Sequence, residues 1–398
     1  HHTGYALFSI DFFSKEFGFD PTQIWLCARR SGVNKSVALD SRLTPSLHRL
    51  FDFDPYMFTD FPKTRESLSN LSLAWQADLE RGLQTADLSQ VKAIYFHSMK
   101  ATLVRGFANW IAKTFVDKQI CVIIGVIEVD YFLEDDSVQD ACNANYTEAV
   151  EILRAVRGLH LIVYAETAFA CSKIAETVSH SIPVHKIPYL AASLAGRASS
   201  EQIPFSRPTV TIGLVGRSRV NHGLDIFPEL ILALSAHHEI RWIIQMSRAF
   251  AEQIDPVFPK YLEWAVANGI CTWHDESLDT DAYYEALRGM DIVLMPYRER
   301  YAVSGSGVFY EALQLERFVI VPETTFMHQV LTDFDYPCAF LPAVTSTAAT
   351  RCILTLLKNK RQLRQKMLDL HARQGEMLPT KKFRELVADG FQESDVVQ

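Results

Sequence analysis

The chain has 398 residues, 48% of them apolar, and a formal net charge of −8. A chain this long exceeds one ordinary core, so two domains are expected, and the acidic balance gives no support to a nucleic-acid partner. No apolar run approaches the ~20 residues of a membrane span, and no signal-peptide pattern opens the sequence. The seven cysteines, at 27, 121, 142, 171, 271, 338 and 352, are scattered and never spaced C-x-x-C. Several, such as Cys27 and Cys121, lie in apolar runs and read as reduced core residues, so a cytoplasmic location is expected.

The chain opens with His1-His2-Thr3-Gly4-Tyr5 and passes directly into a helical pattern over Ala6–Glu16. A Rossmann-like domain ordinarily starts with a strand. Either that strand precedes this sequence or the sheet begins differently, and the paired histidines also read as a tag remnant. Strands are expected at Ile24–Cys27, Ala93–Phe96, Ile120–Val126, Leu161–Tyr164 and Val184–Ile187, with a helix over Thr102–Phe115. Such alternation argues for parallel sheets covered on both faces. Residues 1–195 form the expected first domain, and Ala191–Pro208, with Pro204 and Pro208, is the expected linker.

The pattern restarts with a strand at Val210–Val215 and a helix from about Leu224. Further strands are expected at Ile240–Gln245, Ile270–Trp273, Ile292–Met295, Phe318–Val321 and Cys338–Leu341. Helices are expected at Ala282–Arg288, Val308–Leu315 and, as one long element, from about Ser346 to Gly375. The second domain spans 205–375, and 376–398 form a tail or terminal helix. The fold class is α/β, with two Rossmann-like domains of similar size.

The stretch Tyr301-Ala302-Val303-Ser304-Gly305-Ser306-Gly307-Val308-Phe309-Tyr310-Glu311 lies between two buried strands. A Ser/Gly loop opening a helix presents backbone N–H groups at the positive end of the helix dipole, which suits a phosphate. Glu311, just over one turn further on, is placed to reach a ribose. The bland alternative is an ordinary βαβ crossover with a Gly/Ser turn. Gly216, Arg217, Arg219, His222 and Gly223 follow the first strand of the second domain, with Gly223 starting the next helix. In a doubly wound sheet this loop lies where ligands bind, and its cations would neutralise a diphosphate. Both loops follow central strands, so the sheet should bring them together.

These stretches resemble the donor-binding domain of family-4-type retaining glycosyltransferases with the GT-B fold. Gly213-Leu214-Val215-Gly216-Arg217…His222-Gly223 is similar to that family's phosphate loop. Tyr283 through Pro296 is similar to its helix-to-strand approach, and Ser304–Leu313 with Phe318–Pro322 to its glutamate-bearing helix. The resemblance implies a GT-B fold whose two domains face each other across a cleft. It also implies a nucleotide-diphosphate sugar, UDP- or GDP-linked, as co-substrate, with no other cofactor and no metal. Transfer would proceed with retention of configuration, to a glycan, a lipid-linked sugar or a protein. Glu311 matches the second of the family's two glutamates, whereas Val303 stands at the first, and His222 stands where a lysine is usual. In the first half, His2, Gly4 and the strand-end His97 resemble the acceptor-side residues. Arg217, His222 and His97 are thus the candidate catalytic groups. Gly216, Arg217, Arg219, Ser304, Gly305, Ser306, Gly307 and Glu311 are the candidate donor-binding set.

Two Asp-x-Asp triplets, Asp52-Phe53-Asp54 and Asp279-Thr280-Asp281, match a short metal–diphosphate pattern, but Asp279 sits where a helix N-cap is expected. Lys100, Arg105, Lys113 and Lys118 punctuate a segment rich in Leu103, Phe107, Trp110, Ile111 and Phe115. It reads either as a core-facing helix with a solvated face or as a peripheral contact with the inner face of an anionic membrane. Two further functional readings stay open: a non-catalytic GT-B-like module of a carbohydrate-assembly protein, and a nucleotide-sugar epimerase.

Overall fold

Apolar runs alternating with amphipathic stretches assemble, in the computed structural model, into two sheets with helical crossovers and one separate strand pair. The structure describes residues 10, 12–20, 23–24, 26–29, 47–51, 64–126, 129–187, 203–216, 220–372 and 383–389. The chain divides into two units. The first holds His1–Ala191, Val303–Gly305 and Pro379–Gln398, and the second holds Ala192–Ala302 and Ser306–Leu378.

In the first unit, β1 (Leu26–Arg29) and β2 (Leu47–Phe51) pair in parallel as a two-stranded sheet. The charged and polar residues of β2, His48 and Arg49, interrupt its apolar pattern, which is why the sequence does not announce it. A four-stranded parallel sheet follows in chain order: β3 (Ala93–Phe96), β4 (Ile120–Gly125), β5 (Leu159–Ala165) and β6 (Val184–Lys186). Its crossovers are α2 (Ala101–Thr114), α3 (Asp136–Ala155) and α4 (Ala168–Thr177), with α1 (Arg65–Gly82) leading into β3. Every residue of β4 is buried, as its unbroken apolar run requires of an inner parallel strand.

The helix α2 decides between the two readings of its segment. Leu103, Phe107, Trp110 and Ile111 are buried in the core, together with Phe115 just beyond. Its cations lie on the solvated face, where Arg105 pairs with Glu148 at 2.9 Å and Lys113 with Glu80 at 3.0 Å. The residues a membrane-lying helix would insert are therefore already packed, and the membrane-contact expectation fails for this helix. Among the described residues no helix is long and apolar enough to cross a membrane.

The second unit holds β7 (Val210–Leu214), β8 (Ile240–Gln245), β9 (Cys271–His274), β10 (Ile292–Leu294), β11 (Phe318–Pro322) and β12 (Cys338–Leu341). They form one parallel sheet in the order β12-β11-β10-β7-β8-β9. The helices are α5 (Phe227–Leu234), α6 (Arg248–Ile254), α7 (Phe258–Ala267), α8 (Thr280–Gly289), α9 (Gly307–Gln314), α10 (Phe326–Asp333), α11 (Ser346–Lys358) and α12 (Lys360–Ala372). The chain builds outward from β7 through β8 to β9, then returns to β10 beside β7 and builds the other way. Strand order thus reverses between β7 and β10, the doubly wound arrangement.

Two expectations change. The single helix from Ser346 is two, because Asn359 closes the first. Its N–H bonds Leu356 O at 2.9 Å and its side-chain amide bonds Thr355 O at 2.9 Å, which satisfies carbonyls that a continuing helix would use. The helix expected from about Leu224 is preceded by two 3₁₀ turns, Val220–His222 and Leu224–Ile226, and α5 proper starts at Phe227 with Pro228 in its first turn.

Two buried side chains hold the second unit's backbone in register. The Asp291 carboxylate accepts from Phe205 N at 2.6 Å and Thr211 N at 2.8 Å, tying the entry of β7 to that of β10. Arg317, 1% exposed, donates to Leu315 O at 2.7 Å, Arg288 O at 3.0 Å and Met290 O at 3.1 Å. Burial lowers its pKa, and the carbonyls are what compensate a guanidinium removed from water. Arg317→Met should leave three carbonyls without this donor and destabilise the protein by about 3 kcal/mol. A urea-unfolding midpoint equal to that of the parent chain would refute that role for Arg317.

Candidate functional site

The reversal between β7 and β10 leaves the carboxyl ends of those two strands flanked by loops that depart in opposite directions. Gly216, at the end of β7 with φ +117°, donates its N–H to Gln245 Oε1 at 2.7 Å. A Cβ on Gly216 would lie 3.1 Å from Val308 Cγ2 in the first turn of α9. The loop after β7 and the helix after β10 therefore abut, as the sequence led us to expect. Arg217 and Arg219 lie outside the described residues.

The rest of the loop is fastened to the segment following β10. His222 is buried; its Nε2 lies 2.7 Å from the Tyr301 hydroxyl, and its ring stacks on Tyr297 with centroids 4.6 Å apart. Arg298 N donates to Asn221 O at 2.9 Å, and the Arg298 guanidinium pairs with Asp225 at 2.7 Å. Gly223 does not start a helix as expected. It sits between the two 3₁₀ turns with φ +65°, where a Cβ would fall 2.0 Å from Pro296 O. Asn221 Oδ1 is buried with no hydrogen-bond partner among the described residues, a polar atom turned inward within this loop.

Ser306 caps α9, its Oγ accepting from Phe309 N at 3.3 Å, and Gly307 is the first helical residue. Glu311, 5% exposed on the same helix, accepts from the Tyr283 hydroxyl at 2.5 Å and the Tyr284 hydroxyl at 3.3 Å. Two phenols from α8 thus set the carboxylate in place. The sequence marks the Tyr283–Pro296 stretch without giving these tyrosines a role; adjacent tyrosines four and five residues after Asp279 are the only signal. The sequence gives Tyr297, Tyr301 and Gln245 no role of their own, because nothing local distinguishes them from core or surface residues.

Ser304 and Gly305 count with the first unit. There Val303, standing where the resemblance has a glutamate, is buried in the apolar core, and its carbonyl accepts from Thr167 Oγ1 at 3.2 Å. His97 follows β3 at the carboxyl end of the first sheet, as expected. Its Nδ1 lies 3.4 Å from both the Tyr95 and Tyr164 hydroxyls, which are 3.0 Å from each other. The tyrosines stand on β3 and β5, with β4 between them. They meet because β4 has Gly125 at that level, where a Cβ would lie 2.6 Å from the Tyr164 hydroxyl and 2.1 Å from His97 O. Both phenols are protonated at neutral pH, as tyrosines ordinarily are, and burial pushes them further up. His2 and Gly4 lie outside the described residues.

Among the described residues no group of three His, Cys, Asp or Glu is placed to hold a metal ion. Asp279 is an N-cap, its carboxylate accepting from Ala282 N at 2.8 Å, while Asp52 and Asp54 lie outside the described residues.

No protein-family model and no curated protein matches the chain. Solved structures do. Anabaena HepE, in complex with UDP and glucose, superposes with a TM-score of 0.59 at 11% identity, covering 98% of this chain and 96% of its own. An α,α-trehalose 6-phosphate synthase from Burkholderia multivorans gives 0.54 at 11% identity, covering 84% and 78%. Sucrose-phosphate synthase from Thermosynechococcus elongatus gives 0.53 at 14%, covering 87% and 83%. At these identities the likeness is one of fold: the chain has the GT-B fold, with two parallel-sheet, Rossmann-like units.

The loop geometry after β7 is open to a direct check. In Gly223→Ala the left-handed backbone costs about 1–2 kcal/mol before the methyl meets Pro296 O. A fall in unfolding free energy of at least that size is expected in urea titration. No fall would mean that the loop does not run as described.

Proposed function

We propose that the protein is a glycosyltransferase that takes its sugar from a nucleoside diphosphate. The observation that carries this reading is the meeting of two loops at the β7/β10 reversal, where α/β sheets bind ligands. One brings Gly216 and the inward-turned Asn221; the other opens α9 at Ser306 and carries Glu311 one turn on. The N-terminal amides of α9 suit a phosphate, and Glu311 suits the vicinal hydroxyls of a ribose. Departure of the diphosphate needs positive potential as charge grows on it, which Arg217, Arg219, His222 and the 304–307 amides would supply without a metal. Retention of configuration and a UDP or GDP carrier belong to the same proposal. So does a glycan, lipid-linked or protein acceptor.

The apolar burial of Val303 favours a second reading, a module that binds nucleotide without transferring sugar. Incubation with UDP- and GDP-linked sugars separates the readings. A transferase releases nucleoside diphosphate slowly even without acceptor, a binding module releases none, and an epimerase returns an isomerised sugar. Glu311→Ala should weaken nucleotide binding about ten- to a hundredfold, the loss of a charge-assisted hydrogen bond. Calorimetric affinity for UDP or GDP reads it directly, and unchanged affinity in a folded variant would remove Glu311 from the site.

A further inference from the structure

We propose that the junction of α11 and α12, in the second unit, binds a phosphomonoester in a cavity whose charged lining is wholly cationic. The site is separate from the one at the β7/β10 reversal. Phe205, which lines it, precedes β7, so the cavity lies toward the amino ends of the strands.

An open cavity of about 570 Å³ is lined by four cations, Lys358, Lys360, Arg361 and Arg364, and by the apolar Leu357 and Phe205. No carboxylate lines it. Nor is the charge balanced along the chain: from Tyr336 to Leu368 there are six Lys and Arg and no Asp or Glu, in a protein of net charge −8. Lys360 Nζ donates to the carbonyls of Arg207 and Pro208, the latter at 2.7 Å, so its charge meets only dipoles. Among the described residues Lys358, Arg361 and Arg364 form no ion pair. Asp291, bonded to Phe205 N, is already engaged by two backbone amides. A solvated helix face in this chain mixes its signs, as on α2, where Arg105 meets Glu148 and Lys113 meets Glu80. This one does not.

Cations so placed cost stability unless an anion joins them. Lys360, Arg361 and Arg364 fall in the first five residues of α12, whose first turn has no acidic residue. The positive end of a helix dipole disfavours cations there, and Arg361 and Arg364, three apart, repel each other. A dianion between them offsets both effects. The carbonyls of Thr355 and Leu356 at the end of α11, which would repel it, are occupied by the side chain and N–H of Asn359. Guanidinium groups suit phosphate because their N–H donors are paired in one plane. The cavity is larger than a bare phosphate needs, and Leu357 and Phe205 offer carbon surface, so the ligand is an ester with an organic body.

Calorimetry on the full-length chain tests the site at pH ~7.5, where a phosphomonoester is largely doubly charged, with chloride holding the ionic strength constant. Glycerol 3-phosphate probes for a soluble ester. Phosphatidylcholine vesicles with and without phosphatidic acid probe for the same group on a lipid. Arg361→Gln/Arg364→Gln should weaken binding of whichever ester is bound by roughly tenfold or more, the loss of charge-assisted hydrogen bonds. Arg351→Gln/Lys366→Gln removes the same charge from the same segment outside the cavity and should leave affinity within about twofold. In phosphate-free buffer the cavity variant should melt no lower than the parent, since its arginines lose no ion pair there. No binding of either probe, equal losses in the two double variants, or a lower melting temperature in the cavity variant would each overturn the site. Parental affinity in Arg361→Gln/Arg364→Gln would place the ester elsewhere and overturn it as well.

Discussion

A parallel sheet whose strand order reverses between two neighbours imposes a geometric consequence that the rest of the second unit depends on. The connection leaving β7 runs toward β8, and the one leaving β10 runs toward β11, so neither covers the space above the two carboxyl ends. Loops there can turn toward each other while their strands stay buried. The chain uses that freedom with short-range chemistry: a left-handed Gly223 against Pro296, Arg298 bound to Asn221 and Asp225, and His222 between Tyr297 and Tyr301. Asp291 and Arg317 perform the complementary task at the entry side, where they keep β7, β10 and β11 in register through backbone groups. A site built on strands locked in this way can place a carboxylate or an amide without relying on the loops' own stiffness.

Tyrosine is the recurrent positioning device. In the second unit Tyr283 and Tyr284 orient the Glu311 carboxylate, and Tyr301 meets His222. In the first unit Tyr95 and Tyr164 meet His97 across a glycine in the intervening strand. A phenol suits this role because its ring fills apolar space while its hydroxyl both donates and accepts. The polar groups that the sequence presents as free ligands are thus already ordered by neighbours. That lowers the entropy lost when a ligand replaces or extends those contacts. It also separates the two sheets' rims chemically. The second unit's rim carries the capped start of α9 and one carboxylate on that helix. The first unit's rim carries two phenols and an imidazole in one network.

What the sequence determined by itself follows from short-range rules. Unbroken apolar runs such as Ile120–Gly125 and Phe318–Pro322 mark inner parallel strands, because both faces of such strands are buried. Asp279 before a helical pattern marks a cap, and the 304–307 stretch before Glu311 marks a helix opened by a loop, because capping is decided within four residues. The sequence also made plain that the loops after β7 and β10 belong together. What it left undetermined depends on partners distant in the chain. The strand Leu47–Phe51 is held by pairing with Leu26–Arg29, not by its own pattern. The break at Asn359 turns on which carbonyls its side chain reaches, and the burial of Trp110 and Phe107 on which face α2 turns inward. Only the tertiary structure could bring Tyr283 to Glu311 across 28 residues, or Tyr164 to His97 across 67. A hydroxyl's partner is fixed by the packing of whole elements, and no local periodicity encodes it. For the same reason the packing of Glu166 on Gly305, 139 positions away, carries no mark in the sequence.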